Sequence, residues 1–253
     1  MSERVGTRAV VAVIPVFNEA STVARVIERA RTVCPVIVVD DASSDDSSAR
    51  AVAAGAVCVI RTGRRAGKGA ALRAGFAEAL RRGAAAVATL DGDGQHDPAD
   101  LPRLLAAARR TPRALVLGDR LAGVGGDRIP RTRLGAIRVA DRFIRWLTQR
   151  AVRDTQCGFR VYPAALLRLV RLREEGFVLE SEALLAAARS GYAIVPVPVR
   201  AIYPPGRASR FHALVDGTRI GWYLAREVLR EAPRRLLAAA RVRRRTFLPL
   251  PHA

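Results

Sequence analysis

The chain has 253 residues, half of them apolar and about a quarter charged, and its 43 Lys and Arg against 23 Asp and Glu give a net charge of +20. This composition excludes wholesale disorder, and the length suits one substantial α/β domain or two small ones with a buried core. No apolar run approaches the ~18–20 residues that span a bilayer, and Cys34, Cys58 and Cys157 form neither a CxxC pair nor an even framework, which argues against an integral membrane protein, a disulfide scaffold and a cysteine-based zinc domain.

AVVAVIPV (Ala9–Val16) is a nearly continuous apolar run, as expected of a strand covered on both faces. Ser21 is placed to cap a helix whose apolar stripe is Val23, Val26, Ile27 and Ala30. VIVVDD (Val36–Asp41) predicts a second buried strand, SSDDSSARAVAA a loop then a helix, and AVCVI (Ala56–Ile60) a third strand. RTGRRAGKGAALRAGFAEAL reads as a Gly-bearing basic loop running into an amphipathic helix. AAAVATL (Ala84–Leu90) predicts a fourth strand, DGDGQHDP a turn before a helix from about Ala99, and ALVLGDR (Ala114–Arg120) a fifth strand. This alternation predicts a mostly parallel, doubly wound α/β sheet.

The second half is less regular. GVGGDRIP is a Gly-rich stretch able to order around a ligand, and a helix is expected from Thr132 to about Arg150 with Leu134, Ile137, Phe143, Ile144 and Leu147. DTQCGFRVYP reads as a compact loop or turn, followed by a helix near Glu180–Arg189. The prolines of YAIVPVPVRAIY suggest an edge or irregular strand. From about Phe211 the pattern is helical, closing on RVRRRTFLPLPHA.

Ligands of open α/β sheets bind outside the carboxyl ends of the strands. Three such ends here carry polar groups: Asn18 and Glu19, Asp40 and Asp41, and Asp91 and Asp93. Two carboxylates flanking Gly92, in a turn after a buried strand, can hold a divalent cation that bridges a diphosphate, and oxygen ligands favour Mg²⁺ or Mn²⁺ over zinc. Asp40 and Asp41 have two readings, as acceptors for a nucleotide's base or ribose and as caps of the SSDDSS loop. Lys68, the only lysine among the 43 basic residues, stands before a helix N-terminus, a natural phosphate-facing position. GRRAGKG lacks the hydroxyl residue that follows a Walker lysine, which disfavours P-loop ATP hydrolysis.

Taken in order, IPVFNE, VVDD, GKGAALRAGF, TLDGDGQHDP and DTQCGFR resemble a family 2 glycosyltransferase, and more closely the dolichyl-phosphate or polyprenyl-phosphate mannose and glucose synthases. The likeness runs from about Val10 to Arg230. It implies a GT-A fold and inverting transfer of a hexose, from GDP-mannose or UDP-glucose, to a polyprenyl phosphate with Mg²⁺ or Mn²⁺. It also implies that Pro15, Asn18, Glu19, Asp40, Asp41, Lys68, Asp91, Gly92 and Asp93 surround the nucleotide-sugar, with Asp91, Asp93 and Gln95 as metal ligands. Asp93, Asp154 and Arg160 would be catalytic, and Arg120, Arg128, Arg133, Arg160, Ser209 and Arg210 would meet the acceptor phosphate. This chain departs from the pattern at Asp119, where relatives often carry serine, at Ile137 and Asp141, which replace a serine and an asparagine, and at Arg207-Ala208-Ser209-Arg210, a loose form of Gly-x-Ser-Lys. The expected organisation is a catalytic domain over 1–210, with a nucleotide-sugar half (1–120) and an acceptor half (121–210), then a basic helical segment over 211–253.

The charge fits this reading. Residues 127–253 carry 25 basic and 10 acidic side chains, an excess that attracts polyanions, although solvated Arg-rich helix faces account for it equally. Trp222, Tyr223, Leu224 and Leu229 among Arg226, Arg230, Arg234 and Arg235 suit a membrane-interface helix or an ordinary packed one. The expected setting is cytoplasmic, peripheral to the inner face of the membrane, on an anionic lipid surface or a membrane partner protein. His96 stands either beside the metal or as a structural turn residue. The rival readings are the same donor chemistry with a soluble acceptor, a basic nucleic-acid-binding module and a silent scaffold. Scattered aromatics without an RNP-like stripe argue against specific nucleic-acid binding, and intact Asp91, Asp93 and Gln95 argue against a scaffold.

Overall fold

Apolar runs flanked by helices produce a seven-stranded sheet in the order β3-β2-β1-β4-β6-β5-β7. The strands are β1 (Val10–Val16), β2 (Val36–Asp40), β3 (Cys58–Arg61), β4 (Ala86–Thr89), β5 (Ala114–Asp119), β6 (Arg160–Pro163) and β7 (Ala193–Pro198). The helices are α1 (Val23–Ala30), α2 (Ser47–Ala53), α3 (Lys68–Arg81), α4 (Leu101–Arg110), α5 (Arg131–Thr148), α6 (Ala164–Leu169), α7 (Val178–Arg189) and α8 (Val215–Thr246). This computed structural model describes residues 10–122, 129, 131–203 and 215–246, with backbone alone at 131–133 and 234–246.

β2 and β5 are buried along their whole length, as continuous apolar strands between helical layers must be. α3 packs on β1 and β2 through Gly75, where a Cβ would lie 2.3 Å from the Val13 Cγ1 atom. Glycine is what lets the helix approach the sheet this closely. α1 buries the expected stripe of Val23, Val26, Ile27 and Ala30. Its cap position is taken by Thr22 rather than Ser21, with no side-chain capping bond. The Thr22 hydroxyl donates instead to the Gly92 carbonyl at 2.8 Å, so α1 is tied to the turn after β4.

One expectation is corrected outright. DTQCGFRVYP is not all loop: Arg160–Pro163 is β6, antiparallel to both β4 and β5 and inserted between them. Its leading arginine disguises the strand, because a buried Arg reads as a loop residue. α6 is a further element beyond those expected, a single short helix after β6. β7 is one of the two edge strands, parallel to β5, which suits its prolines. α8 packs on α5 and α7 through Ile220, Tyr223 and Leu224. Among the described residues no helix is long and apolar enough to cross a membrane.

Candidate active site

The parallel strands β1, β2, β4 and β5 deliver their carboxyl-end loops to one edge of the sheet. Because β6 runs the other way, its leading residues Cys157, Gly158 and Phe159 reach that same edge. The Gly158 carbonyl is fixed there by the Thr89 hydroxyl at 2.7 Å.

At the centre lies Lys68, the first residue of α3. Its Nζ is 2.7 Å from Asp91 Oδ1 and 3.0 Å from Glu180 Oε1, and it stands over the Phe177 ring. Burial by itself would lower the Lys68 pKa, but Asp91 and Glu180 outweigh it and hold the ammonium above the ordinary lysine range. Burial would also raise the Asp91 carboxyl, yet Lys68, with His96 and Arg120, holds it down at about 2. Asp93 behaves oppositely: burial, then the charges of Asp91 and Glu19, push it up to about 6. A crowd of carboxylates around Asp93 without a neighbouring side-chain cation of comparable effect is a setting that a divalent ion relieves. Among the described residues no three His, Cys, Asp or Glu side chains are grouped to hold a metal by themselves. A divalent ion on Asp91, Asp93 and Gln95 would draw its remaining ligands from a diphosphate and water.

Two adjoining cavities meet at this point. The first, about 130 Å³, is lined by Pro15, Glu19, Asp41, Gly67, Asp91, Gly92 and Asp93 among others. The second, about 40 Å³, is lined by Gln95, Arg120, Ile137 and Gln156. Lys68, Asp91 and Phe177 form part of both walls. A larger hollow of about 590 Å³ opens at the opposite end of the sheet, around Val10, Ala86 and Pro163, away from these carboxylates.

Several expected site residues act as supports. Asp40 is buried and accepts from the Ser43 amide and the Ser48 hydroxyl, so it caps its own loop. Asp41 faces the first cavity while its two oxygens accept from the Ala66 and Gly67 amides, both at 2.7 Å. Asn18 has a left-handed backbone (φ 50°), and its Oδ1 accepts from the Ser44 amide, joining the β1 and β2 loops. His96 is buried and burial pushes it down to about 4, so it is neutral at pH 7. Its Nδ1 accepts from the Asp91 amide at 3.2 Å, which places its proton on Nε2 and assigns it the structural role.

The two residues expected to be catalytic beside Asp93 are both enclosed by the fold. Asp154 is fully buried, and it accepts from Arg120 Nε at 2.8 Å, Nη2 at 2.7 Å and the amide at 2.8 Å. It orients Arg120 and does not itself reach the cavity. Arg160 is also fully buried, its guanidinium spent on the carbonyls of Cys157, Glu180 and Thr155. Its charge binds the 155–157 loop to α7. Arg120 does line the second cavity, beside Asp91 and Gln95. Asp141, in the place of the expected asparagine, accepts from the amides of Asp154 and Thr155 and fixes the loop that carries Asp154. Arg128, Ser209 and Arg210, and the side chain of Arg133, lie outside the described residues.

Sequence reasoning missed Glu180 and Gly158. Glu180 is buried on α7 in register with Ala183, Leu184 and Ala187, an apolar stripe that should have marked an inward-facing carboxylate. Gly158 had no such signal, since its role depends on who meets it in space.

Residues 11–173 match the family model described as glycosyl transferase family 2. The chain belongs to that family. It is 31% identical over 205 residues to the polyprenol monophosphomannose synthase of Mycolicibacterium smegmatis, covering 76% of this chain and 77% of that one. It is 33% identical over 202 residues to the undecaprenyl-phosphate mannosyltransferase of Micrococcus luteus, covering 75% and 82%. The glucosyl-3-phosphoglycerate synthase of Mycobacterium tuberculosis, solved with Mn²⁺, UDP and phosphoglyceric acid, superposes with a TM-score of 0.68 over 88% of this chain and 78% of that one. At 22% identity that likeness bears on the fold, which is GT-A. This glycosyltransferase thus presents the carboxyl edge of a GT-A sheet, with Asp91 and Asp93 at its middle.

Proposed function

We propose that this glycosyltransferase moves a hexose, mannose or glucose, from a nucleotide-diphosphate sugar to a polyprenyl phosphate. The observation that carries the reading is the position of Asp91 and Lys68 on the shared wall of two cavities, one framed by the nucleotide-side loops and one by Arg120. Names carried by the M. smegmatis and M. luteus relatives support a polyprenyl-phosphate acceptor.

The chemistry asks for alignment more than for a strong base. A phosphate oxygen of the acceptor is already anionic near neutral pH; it forms the bond to C1 as the C1–O bond to the diphosphate breaks, and the nucleoside diphosphate departs. A Mg²⁺ or Mn²⁺ ion on Asp91, Asp93 and Gln95 would supply charge stabilisation for that diphosphate. Lys68 adds a buried positive charge on the donor side, and Arg120, held by Asp154, adds one on the acceptor side, so two anions can approach each other. Pro15, Glu19 and Asp41 would frame the nucleotide.

An apolar hollow of about 270 Å³ between α5 and α8, lined by Val139, Phe143, Ile220 and Leu224, supports a lipid acceptor over a soluble one. Ala136 and Gln156 belong to its wall and to that of the Arg120 cavity, so the hollow begins where the phosphate would sit. α8 turns Val215, Trp222 and Leu229 outward along one stripe with Arg219 and Arg230, and α5 exposes Val139 and Trp146. This surface suits peripheral attachment to an anionic membrane from its inner face, with the 211–253 segment as the interfacial element.

The deciding experiment supplies labelled GDP-mannose or UDP-glucose with polyprenyl phosphate and Mg²⁺ or Mn²⁺. Label passing into the organic phase, and lost with EDTA, is the expected result. Nucleotide-sugar binding without lipid product would turn the assignment to a soluble acceptor.

A further inference from the structure

Lys68 occupies the carboxylate that the metal needs. Its ammonium lies 2.7 Å from Asp91 Oδ1, so an ion that takes Asp91 must either displace the ammonium or share an oxygen with it. Two cations on one carboxylate repel each other strongly, and expelling Lys68 into solvent would discard a cation able to meet the diphosphate. The structure contains a second seat. Glu180 is 2% exposed, its Oε1 is 3.0 Å from Lys68 Nζ, and among the described residues its buried Oε2 has no hydrogen-bond partner. A buried carboxylate oxygen left unpaired costs free energy unless it is used in another state of the site.

The surroundings hold this seat in place. A Cβ on Gly158 would lie 2.8 Å from Glu180 Oε1, 2.9 Å from Lys68 Nζ and 3.1 Å from Asp91 Oδ2. The three charged groups therefore converge on the bare face of a glycine, and any side chain there would crowd their meeting point. Arg160 donates to the Glu180 carbonyl at 2.6 Å and to the Cys157 carbonyl at 2.7 Å, clamping the glycine-bearing loop to α7.

Resting on the metal site proposed above, we infer that Glu180 is a positioning residue that receives Lys68 when a divalent ion takes Asp91. The ammonium gives up Asp91, gains the second oxygen of Glu180 and stays in the cleft facing the diphosphate. Glu180 thereby sets metal affinity without being a metal ligand. A glutamine at this position would leave Asp91 as the one carboxylate among the described residues in ion-pair contact with Lys68, and the metal would compete against a tighter ion pair.

The test is Mn²⁺ binding to the full chain, read from the electron paramagnetic resonance of the free ion, with UDP and with GDP in parallel. Glu180→Gln is expected to weaken Mn²⁺ binding by ~5- to 150-fold, the range of a coupling between interacting sites. In the Lys68→Met background the same change should have an effect within about twofold, because no ammonium remains to be transferred. An unchanged Mn²⁺ affinity in Glu180→Gln would overturn the inference. So would a Glu180→Gln penalty that persists without Lys68, which simple attraction between carboxylate and metal would produce. No Mn²⁺ binding by the wild-type chain would remove the metal site itself, and the inference with it. Gly158→Ala changes no charge and is the second variant if Glu180→Gln does not fold. Weakened Mn²⁺ binding there that disappears in the Lys68→Met background supports the transfer, and full affinity in a folded Gly158→Ala protein, or a loss that persists without Lys68, counts against it.

Discussion

Arg120 and Asp154 form a forked ion pair inside the protein: Nε and Nη2 donate to the two carboxylate oxygens at 2.8 and 2.7 Å, with Asp154 fully buried. The pair joins the end of β5 to the loop before β6, so an arginine that lines the second cavity is held by a residue outside its wall. Asp154→Ala leaves the Arg120 charge buried and uncompensated, which costs about 3–5 kcal/mol. Urea unfolding should show this loss, and a variant as stable as the wild type would contradict the arrangement.

Asp93 lies on the solvent-facing side of the same edge and takes no part in the apolar core. Asp93→Ala should therefore retain the fold and lower turnover by about 100-fold or more, as should EDTA treatment of the wild type. Circular dichroism and the labelled-transfer assay separate the two effects. Undiminished turnover with metal present would remove Asp93 from the site.

The cysteines differ in environment. Burial pushes the Cys34 thiol up to about 11 and the Cys157 thiol up to about 12, whereas Cys58 is partly exposed. A raised thiol pKa means less thiolate, about one part in a thousand for Cys34 at pH 8. Iodoacetamide at that pH should label Cys58 first and leave Cys34 and Cys157 until the protein unfolds. The Cys34 rate should keep rising with pH up to about 11. Peptide mass mapping reads this out, and early labelling of Cys157 would be incompatible with its burial.

Trp222 is 76% exposed on α8, in line with Leu229 at 74%. If this stripe enters a membrane interface, Trp222→Glu should weaken binding to anionic vesicles by about tenfold or more, from the ~1.5–3 kcal/mol of burying one large apolar side chain. Thermal stability should change little, since most of the residue is exposed. Vesicle sedimentation that is equal for both proteins would place the surface elsewhere.

Much of this molecule is legible before folding. The continuous apolar runs of β1, β2 and β5 require burial on both faces, the α1 stripe repeats at helical spacing, and Asp91-Gly92-Asp93 follows a strand where ligands bind. These are local properties, decided by residues within a few positions of each other. They carry the α/β class, the helix–strand alternation and the placing of the DxD pair.

Other features depend on residues brought together from far apart. Arg160 and Asp154 share a motif with Gly158, and side-chain chemistry alone suggests that the charged members act on a ligand. In the fold the antiparallel entry of β6 turns Arg160 inward to three carbonyls and Asp154 onto Arg120, while the glycine faces Lys68, Asp91 and Glu180. Lys68 and Glu180 are separated by more than a hundred residues, and their 3.0 Å contact exists only because α3 and α7 converge at one end of the sheet. Charge states and supporting roles follow from burial and from neighbours across the fold, and neither is a property of local spacing.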